Sequence, residues 1–185
     1  MKWFRYFFFI SLLTGCTKDR VSELTEKLPP PQIPTDSTHI NFHSLFINEF
    51  LAKESAPNDP DWVEIYNPYS STITMLSGRW FLTDSLGQPN KFQLPAIVLP
   101  AKGFGVIYCD SGDSLDGSGA AHANFGLSSK GEAIGLYYKD STGSLVPVDS
   151  FTFGAQNADV SFGRIPDGGS TFQSFSSPTK GQPNH

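Results

Sequence analysis

Residues 46–67 read FINEFLAKESAPNDPDWVEIYN, and this stretch decides the fold class. Both ends are apolar and strand-like, and in the second one Val63 and Ile65 alternate with residues that face the other way. The APNDPD link between them holds two prolines and an Asn-Asp pair, which favour a turn or loop. The stretch therefore predicts a β-hairpin with one glutamate in each strand, Glu49 and Glu64.

The rest of the chain also consists of short apolar runs cut by glycine and proline. Its 185 residues include 17 glycines, 14 prolines and 16 phenylalanines, and only 17% of them are charged. This composition predicts an all-β chain with about ten short strands and no helix of ordinary length. An immunoglobulin-like antiparallel β-sandwich is the expected packing. The side chains predicted to point into its core are Val63, Ile65, Val106, Ile134, Leu136 and Phe151.

Residues 44–185 form the predicted domain. A domain of that size buries about two thirds of the surface of its unfolded chain, so it needs no disulfide framework. The chain carries a net charge of −5, and removal of residues 1–15 would take away two basic side chains, Lys2 and Arg5. This acidic balance argues against non-specific binding to DNA or RNA, and no nucleic-acid partner is expected.

Residues 1–15 have the features of a signal peptide. Two basic residues accompany an apolar run at residues 6–13, which is too short to span a bilayer. Residues 13–16, LTGC, resemble the lipobox of bacterial lipoproteins. The resemblance implies cleavage before Cys16, lipidation of its thiol and attachment to a membrane. The alternative is an ordinary secretory signal with a coincidental cysteine.

Residues 16–43 are predicted to tether the domain to that membrane. Four prolines among residues 29–34 favour an extended polyproline II spacer. Thr17 follows the lipidated cysteine, where an aspartate is associated with retention in the inner membrane, so the outer membrane is the expected location. Whether the domain faces the periplasm or the medium stays open. His39 and His43 have a metal-ligand spacing only on a helix, and we expect them to be solvated.

A run of aspartates is the first candidate metal site. In the loop DSGDSLDGSG an aspartate recurs at every third position, as Asp110, Asp113 and Asp116. Such oxygens could wrap Ca²⁺, but the spacing and the terminal glutamate of an EF-hand are missing. A flexible solvated loop is the favoured interpretation, and no other cofactor is expected. Asp59 and Asp61 form a second, weaker acidic cluster.

Glu49 and Glu64 are the third acidic candidate. If their strands pair, the two carboxylates lie close together, and repulsion raises the pKa of one of them or attracts a cation. Neutralisation by Arg79 or Arg164 is the favoured structural interpretation. In the segment GRIPDGG, Arg164 and Asp167 are expected to brace a turn rather than to bind a ligand.

The sequence offers little support for catalysis. His122 and Asp110 could join a serine, but no G-x-S-x-G motif marks one. Cys109 could pair with His122 as a nucleophile, yet it lies on an apolar strand, where a cysteine is usually a small buried hydrophobic residue. We therefore expect no enzymatic activity, with a hydrolase as the least favoured reading.

Several sequence blocks, taken in order, resemble a bacterial lamin tail domain. They are INEFLA at 47–52, DWVEIYN at 61–67, LSGRWFLTD at 76–84, LPA at 94–96, FGVIY at 104–108, NFGLSSKGEAIGLY at 124–137, VDSFTFG at 148–154, SFGRIPDGG at 161–169 and PTKGQPN at 178–184. The resemblance covers residues 45–184 and implies an immunoglobulin-like sandwich. It also implies a binding module without a settled ligand, which in nuclear lamins contacts proteins and chromatin and in bacteria occurs in secreted proteins.

Two functions from different classes follow from these observations. The first is a lipid-anchored binding or structural module of the cell envelope, used for adhesion or for contact with an envelope protein. The alternative is a calcium- or glycan-binding accessory module, which would use the loop at residues 110–119 and exposed aromatic residues such as Trp62 or Trp80. The oligomeric state stays open.

Overall fold

The structure is a computed structural model that describes residues 44–53, 55, 59–112, 114–115 and 119–185. The predictions for the leader, Cys16, the tether, Asp113 and Asp116 lie outside the described residues. The described strands are β1 Phe46–Leu51, β2 Asp61–Tyr66, β3 Ile73–Met75, β4 Trp80–Thr83, β5 Phe92–Gln93, β6 Ile97–Leu99, β7 Phe104–Cys109, β8 Ser114–Leu115, β9 Ala121–Ala123, β10 Glu132–Lys139, β11 Leu145–Phe153, β12 Ser161–Arg164 and β13 Phe172–Phe175.

Seven of these strands form one sheet, in the order β13-β12-β1-β2-β7-β9-β8. The predicted hairpin lies at its centre, because β1 and β2 pair antiparallel with Ile47 opposite Ile65 and Glu49 opposite Glu64. Between these two pairs β1 has one extra residue, Asn48, which forms a β-bulge. Directly opposite residues of an antiparallel pair share a face, so the bulge moves Glu49 to the same face as Glu64.

The other strands form a four-stranded sheet, in the order β11-β10-β4-β5, and a ribbon of β3 and β6. All described pairs are antiparallel except β7 and β9, which run parallel. The all-β fold class with an immunoglobulin-like sandwich is thus confirmed, with one parallel pair added. In the described part of the chain, no helix has the length and apolar character needed to cross a bilayer.

The core lies between the two larger sheets and beneath the ribbon. Four of the predicted core residues, Val63, Ile65, Ile134 and Leu136, are fully buried. Phe151 is partly buried and packs against this core. The other buried members include Leu45, Ile47, Phe50, Ile73, Met75, Trp80, Leu82, Leu94, Leu99, Ile107 and Ala123.

The inward placement of Val106 is wrong. Val106 lies opposite Glu64 on the outer face of the seven-stranded sheet, whereas Ile107 and Cys109 of the same strand are buried in the core. Both phases of β7 carry apolar residues, so the alternation FGVIYC could not by itself identify the inner face.

Three strands were not predicted. β9 places His122 beside Tyr108 of β7 rather than in a loop. β8 has two residues and pairs with β9, and β13 follows the turn at residues 166–169 and pairs with β12. Runs this short carry little periodic signal, and their strand conformation depends on the neighbouring strands that supply their hydrogen bonds.

Replacing Ile65 with alanine tests the central hairpin. Ile65 is fully buried, so we expect Ile65→Ala to lower the free energy of unfolding by about 2–5 kcal/mol. Equilibrium denaturation in urea measures this change. The exposed Val98→Ala is a matched control that should cost about 0.5 kcal/mol or less. A loss at Ile65 as small as that of the control would contradict the assigned face.

Candidate functional site

The site is built on the two glutamates of the central hairpin. The bulge at Asn48 brings Glu49 opposite Glu64 on the outer face of the seven-stranded sheet. Both side chains are fully buried there. Outer faces of sheets normally meet water, so another element must cover this pair and satisfy its oxygen atoms.

The covering element is the C-terminal strap, which we define as residues 176–185. Its Thr179 donates two hydrogen bonds to Glu49, from the backbone N–H to Oε1 at 3.0 Å and from Oγ1 to Oε2 at 2.6 Å. The N–H of Gly181 donates to Glu64 Oε2 at 2.6 Å. Ser161, on the neighbouring strand, donates its hydroxyl hydrogen to Glu49 Oε1. Each carboxyl group is therefore capped by a backbone N–H of the strap.

A tight turn brings these two N–H groups together. The N–H of Gln182 donates to the carbonyl of Thr179 at 2.7 Å, and Gly181 has a φ of +77°. A positive φ at the third position of a turn is typical of type II and favours glycine. The strap also lies very close to the sheet. A Cβ on Gly163, which lies opposite Glu49, would be 2.7 Å from Asn184 Nδ2 of the strap. Two glycines thus permit the strap to lie directly on the sheet.

A third carboxylate completes the network. The bulge residue Asn48 donates from Nδ2 to Glu64 Oε1 and to Asp167 Oδ1, both at 3.0 Å. Its Oδ1 accepts from the N–H of Gly168 at 3.0 Å, and Asp167 Oδ1 also accepts from the N–H of Asn184 at 3.0 Å. Sequence reasoning did not single out Asn48 or the polar residues of the strap. The block PTKGQPN was the only signal for the strap, since its contacts with Glu49 and Glu64 span more than a hundred residues of sequence.

Burial dominates the electrostatics of this network. It raises the pKa of Glu64 from 4.5 to about 8, the negative charges of Glu49 and Asp167 add to the rise, and the hydrogen bonds from Asn48 and Gly181 oppose it. Glu64 therefore holds its proton at neutral pH. Desolvation is the main cause of the raised pKa of Glu64, and repulsion from Glu49, which the sequence suggested as a cause, makes a smaller contribution.

The prediction that Arg79 or Arg164 neutralises the pair is wrong. The Arg164 guanidinium contacts the Asp149 carboxylate at 3.0 Å and 3.1 Å, and its Nε donates to the carbonyl of Ile47. Arg79 donates to the hydroxyl oxygen of Tyr138 at 2.7 Å. In β12 it is Gly163 that shares the outer face with Glu49, so Arg164 points the other way, toward the four-stranded sheet.

Arg164 braces the turn that follows β12, as expected, whereas Asp167 accepts from Asn48 and Asn184 and so joins that turn to β1 and to the strap. Arg164 Nη1 donates to the carbonyl of Gly169 at 2.5 Å, and its guanidinium lies 4.4 Å from the ring centroid of Phe172. Burial raises the pKa of Asp149, and the adjacent Arg164 charge opposes that rise. This ion pair joins β11 to β12 and has no contact with the glutamate pair.

The strap also covers an aromatic residue. Its Lys180 places Nζ 5.7 Å from the ring centroid of Trp62 and 5.3 Å from that of Tyr108, and it pairs with Asp59 at 3.5 Å. Trp62 is fully buried, and its Nε1 has no hydrogen-bond acceptor among the described residues. Trp80 is buried in the core. The expectation that either tryptophan is exposed for a glycan is therefore wrong.

Asp110, the described member of the proposed calcium set, contacts protein groups. Its Oδ2 lies 2.7 Å from His122 Nδ1, and its Oδ1 accepts from the N–H of Gly112 at 3.0 Å. Within the described ranges, no three His, Cys, Asp or Glu side chains are grouped so that they could hold a metal ion. Calcium binding at Asp110, Asp113 and Asp116 stays a prediction, because the last two lie outside the described residues.

Cys109 and His122 do not form a nucleophilic pair. Tyr108 lies opposite His122 and Cys109 lies opposite Ala123, so successive side chains place His122 on the outer face and Cys109 in the core. Burial raises the pKa of the Cys109 thiol well above its usual range, and the nearby Asp61 and Asp110 add to the rise. The prediction that this thiol is buried is confirmed, and its environment suppresses the reactive thiolate.

Thiol labelling tests this conclusion. The chain has two cysteines, so a Cys16→Ser chain carries Cys109 as its only thiol. We expect the folded protein to react with a thiol reagent at least about a hundredfold more slowly than the denatured protein, because Cys109 is buried and neutral. Mass spectrometry over time measures the rate. Rapid labelling of the folded protein would overturn the assignment and reopen the nucleophile reading.

Comparison with known families agrees with this architecture. The model of the family described as Lamin Tail Domain matches residues 40–155, which is more than half of the chain. No curated protein matches the chain. The matched segment contains both glutamates and the central hairpin, whereas β12, β13 and the strap lie beyond it. The chain belongs to the lamin tail domain family, a family of non-catalytic, immunoglobulin-like β-sandwich modules.

Proposed function

We propose that this protein is a lipid-anchored binding or structural module of the cell envelope, used for adhesion or protein interaction, without catalytic activity. The observation that carries the proposal is the order of its parts. The lipobox-like residues 13–16 precede a proline-rich tether and then a lamin tail domain. A lipidated Cys16 would hold the sandwich at the outer membrane, since each buried methylene of an acyl chain contributes about 0.8 kcal/mol.

The geometry of the sandwich supports a binding role over a hydrolytic one. Cys109, the candidate nucleophile, is buried in the core, whereas His122 lies on the outer face of the same sheet. The Asp110–His122 contact is an orienting pair of the kind found beside nucleophiles, but the sequence marks no serine to complete it. Trp62 and Trp80, the aromatic residues suggested for contact with a glycan, are both buried. Glycan binding through them is therefore not part of the proposal.

The aromatic shelf is the surface that we propose for the partner. We define it as Tyr66, Phe104, Val106 and Tyr108, which are half-buried on the outer face of β2 and β7. The rings of Tyr66 and Phe104 lie 5.1 Å apart. Aromatic side chains are enriched at protein interfaces, where they bury large areas with little loss of side-chain entropy. An envelope protein is the partner class that we propose.

Replacing Cys16 with serine tests the anchor. Serine cannot form the thioether, so Cys16→Ser should shift most of the protein from the membrane fraction to the soluble fraction or leave it uncleaved. Membrane flotation and intact-mass analysis of the amino-terminal peptide measure the outcome. The Cys109→Ser protein is the matched control and should still float with membranes. Detergent-sensitive flotation of the Cys16→Ser protein would contradict the lipidation proposal.

Crosslinking in intact cells tests the shelf. Phe104→Ala should reduce recovery of crosslinked envelope proteins at least about fivefold, because truncation of an aromatic anchor at an interface costs more than about 1 kcal/mol. Val98→Ala is the control, since it removes an exposed apolar side chain from the β3–β6 ribbon. Equal recovery with wild type, Phe104→Ala and Val98→Ala would exclude the shelf as the contact surface.

A further inference from the structure

The C-terminal strap is fastened to the sheet by polar contacts rather than by apolar packing. Its Thr179 and Gly181 bond to Glu49 and Glu64, its Asn184 bonds to Asp167, and its Lys180 pairs with Asp59. The described strap contributes no side chain to the hydrophobic core. A segment held in this way can open without disturbing the core between the sheets, because opening exposes the outer face of the seven-stranded sheet, including Trp62, rather than that core.

The charges around Glu64 do not balance. Glu49 of β1 and Asp167 of the turn after β12 are acidic, and both add to the cost of a negative charge at Glu64. Of the nearby cations, Lys180 of the strap is paired with Asp59 and Arg164 of β12 with Asp149. On the same outer face, Trp62 and Tyr66 flank Glu64 on β2, and Val106 and Tyr108 lie on β7. Ionisation of Glu64 while the strap is closed therefore adds a third negative charge beside Glu49 and Asp167. Among the described residues, no cation is paired with this cluster.

We propose that the strap is a pH-sensitive latch, which stays closed over Glu49 and Glu64 while Glu64 holds its proton and opens the outer face when Glu64 ionises. Opening would bring water to the glutamate pair and to Trp62, whose buried Nε1 hydrogen would then gain a partner. Trp62 lies opposite Tyr108 of the aromatic shelf, so opening would also widen that shelf. The latch requires neither the lipid anchor nor a bound partner.

The direction of the pH dependence follows from linkage. With the strap closed, burial raises the pKa of Glu64 from 4.5 to about 8, and exposure to water on opening returns it toward its ordinary value. A pKa that is raised in the closed state makes closure strongest below about pH 4.5 and weakens it as the pH rises to about 8. Above about pH 8 the effect levels off. Within this window the open population can rise by up to about tenfold for each unit of pH.

Trypsin provides a local readout, because the peptide bond between Lys180 and Gly181 is a tryptic site within the strap turn. The full chain is digested at about pH 6 and about pH 8.5, and the rate of the first cut is divided by that of a free peptide of residues 176–185. The bond after Arg164, which lies in β12 and is buried, reports on unfolding of the sandwich in the same digest. Mass spectrometry distinguishes the two cuts.

We expect the normalised cut after Lys180 to rise more than about tenfold between the two pH values, with no parallel rise after Arg164. The Glu64→Gln protein should lose most of this rise, because its side chain does not ionise. The Asp59→Asn protein is the matched control: it releases Lys180 but leaves the glutamate pair, so it should cut faster at both pH values and keep the rise.

Three results would overturn the latch. They are a flat pH response of the wild-type strap, an undiminished response in folded Glu64→Gln, and a rise after Arg164 that matches the rise after Lys180. If Glu64→Gln does not fold, the wild-type comparison of the two cuts still decides the question. A flat wild-type response would leave the anchor and the aromatic shelf unaffected, so failure of the latch and failure of the proposed function are distinguishable.

Discussion

The burial of two facing glutamates is the constraint on which the outer half of this sandwich depends. Glu49 and Glu64 occupy the centre of the seven-stranded sheet, where each lies in register with the other. Carboxyl oxygens removed from water require hydrogen-bond donors, and an unsatisfied group costs about 1–3 kcal/mol. The bulge residue Asn48 and the backbone of the strap supply those donors. The position of the last ten residues follows from this requirement.

The network also explains why charge is arranged as it is around the sheet. A buried pair of like charges is normally offset by an arginine or relieved by a proton. Here the proton takes that role at Glu64, and Arg164 instead joins the two sheets through Asp149. Hydrogen-bond donors without charge then suffice to hold the pair. The proposed pH sensitivity of the strap rests on this arrangement, because a proton rather than an arginine offsets the second charge.

The outer face of the seven-stranded sheet has two parts, one covered by the strap and one partly exposed. The strap covers Glu49, Trp62 and Glu64, while the aromatic shelf on β2 and β7 stays partly accessible beside it. The family to which the chain belongs uses its sandwich as a binding or structural module rather than as a catalyst. A partly exposed aromatic sheet face suits that role, because aromatic residues are enriched at protein interfaces.

The sequence by itself determined the fold class, the central hairpin and the family. Alternation in DWVEIY, prolines in the link and blocks such as NFGLSSKGEAIGLY are local signals, and local signals are what a sequence carries directly. It also indicated the burial of Cys109. Only the tertiary structure decided that Val106 faces outward, that Trp62 is covered and that the strap rather than an arginine completes the site. These outcomes depend on a one-residue bulge at Asn48 and on contacts across more than a hundred residues, which no periodicity in the chain encodes.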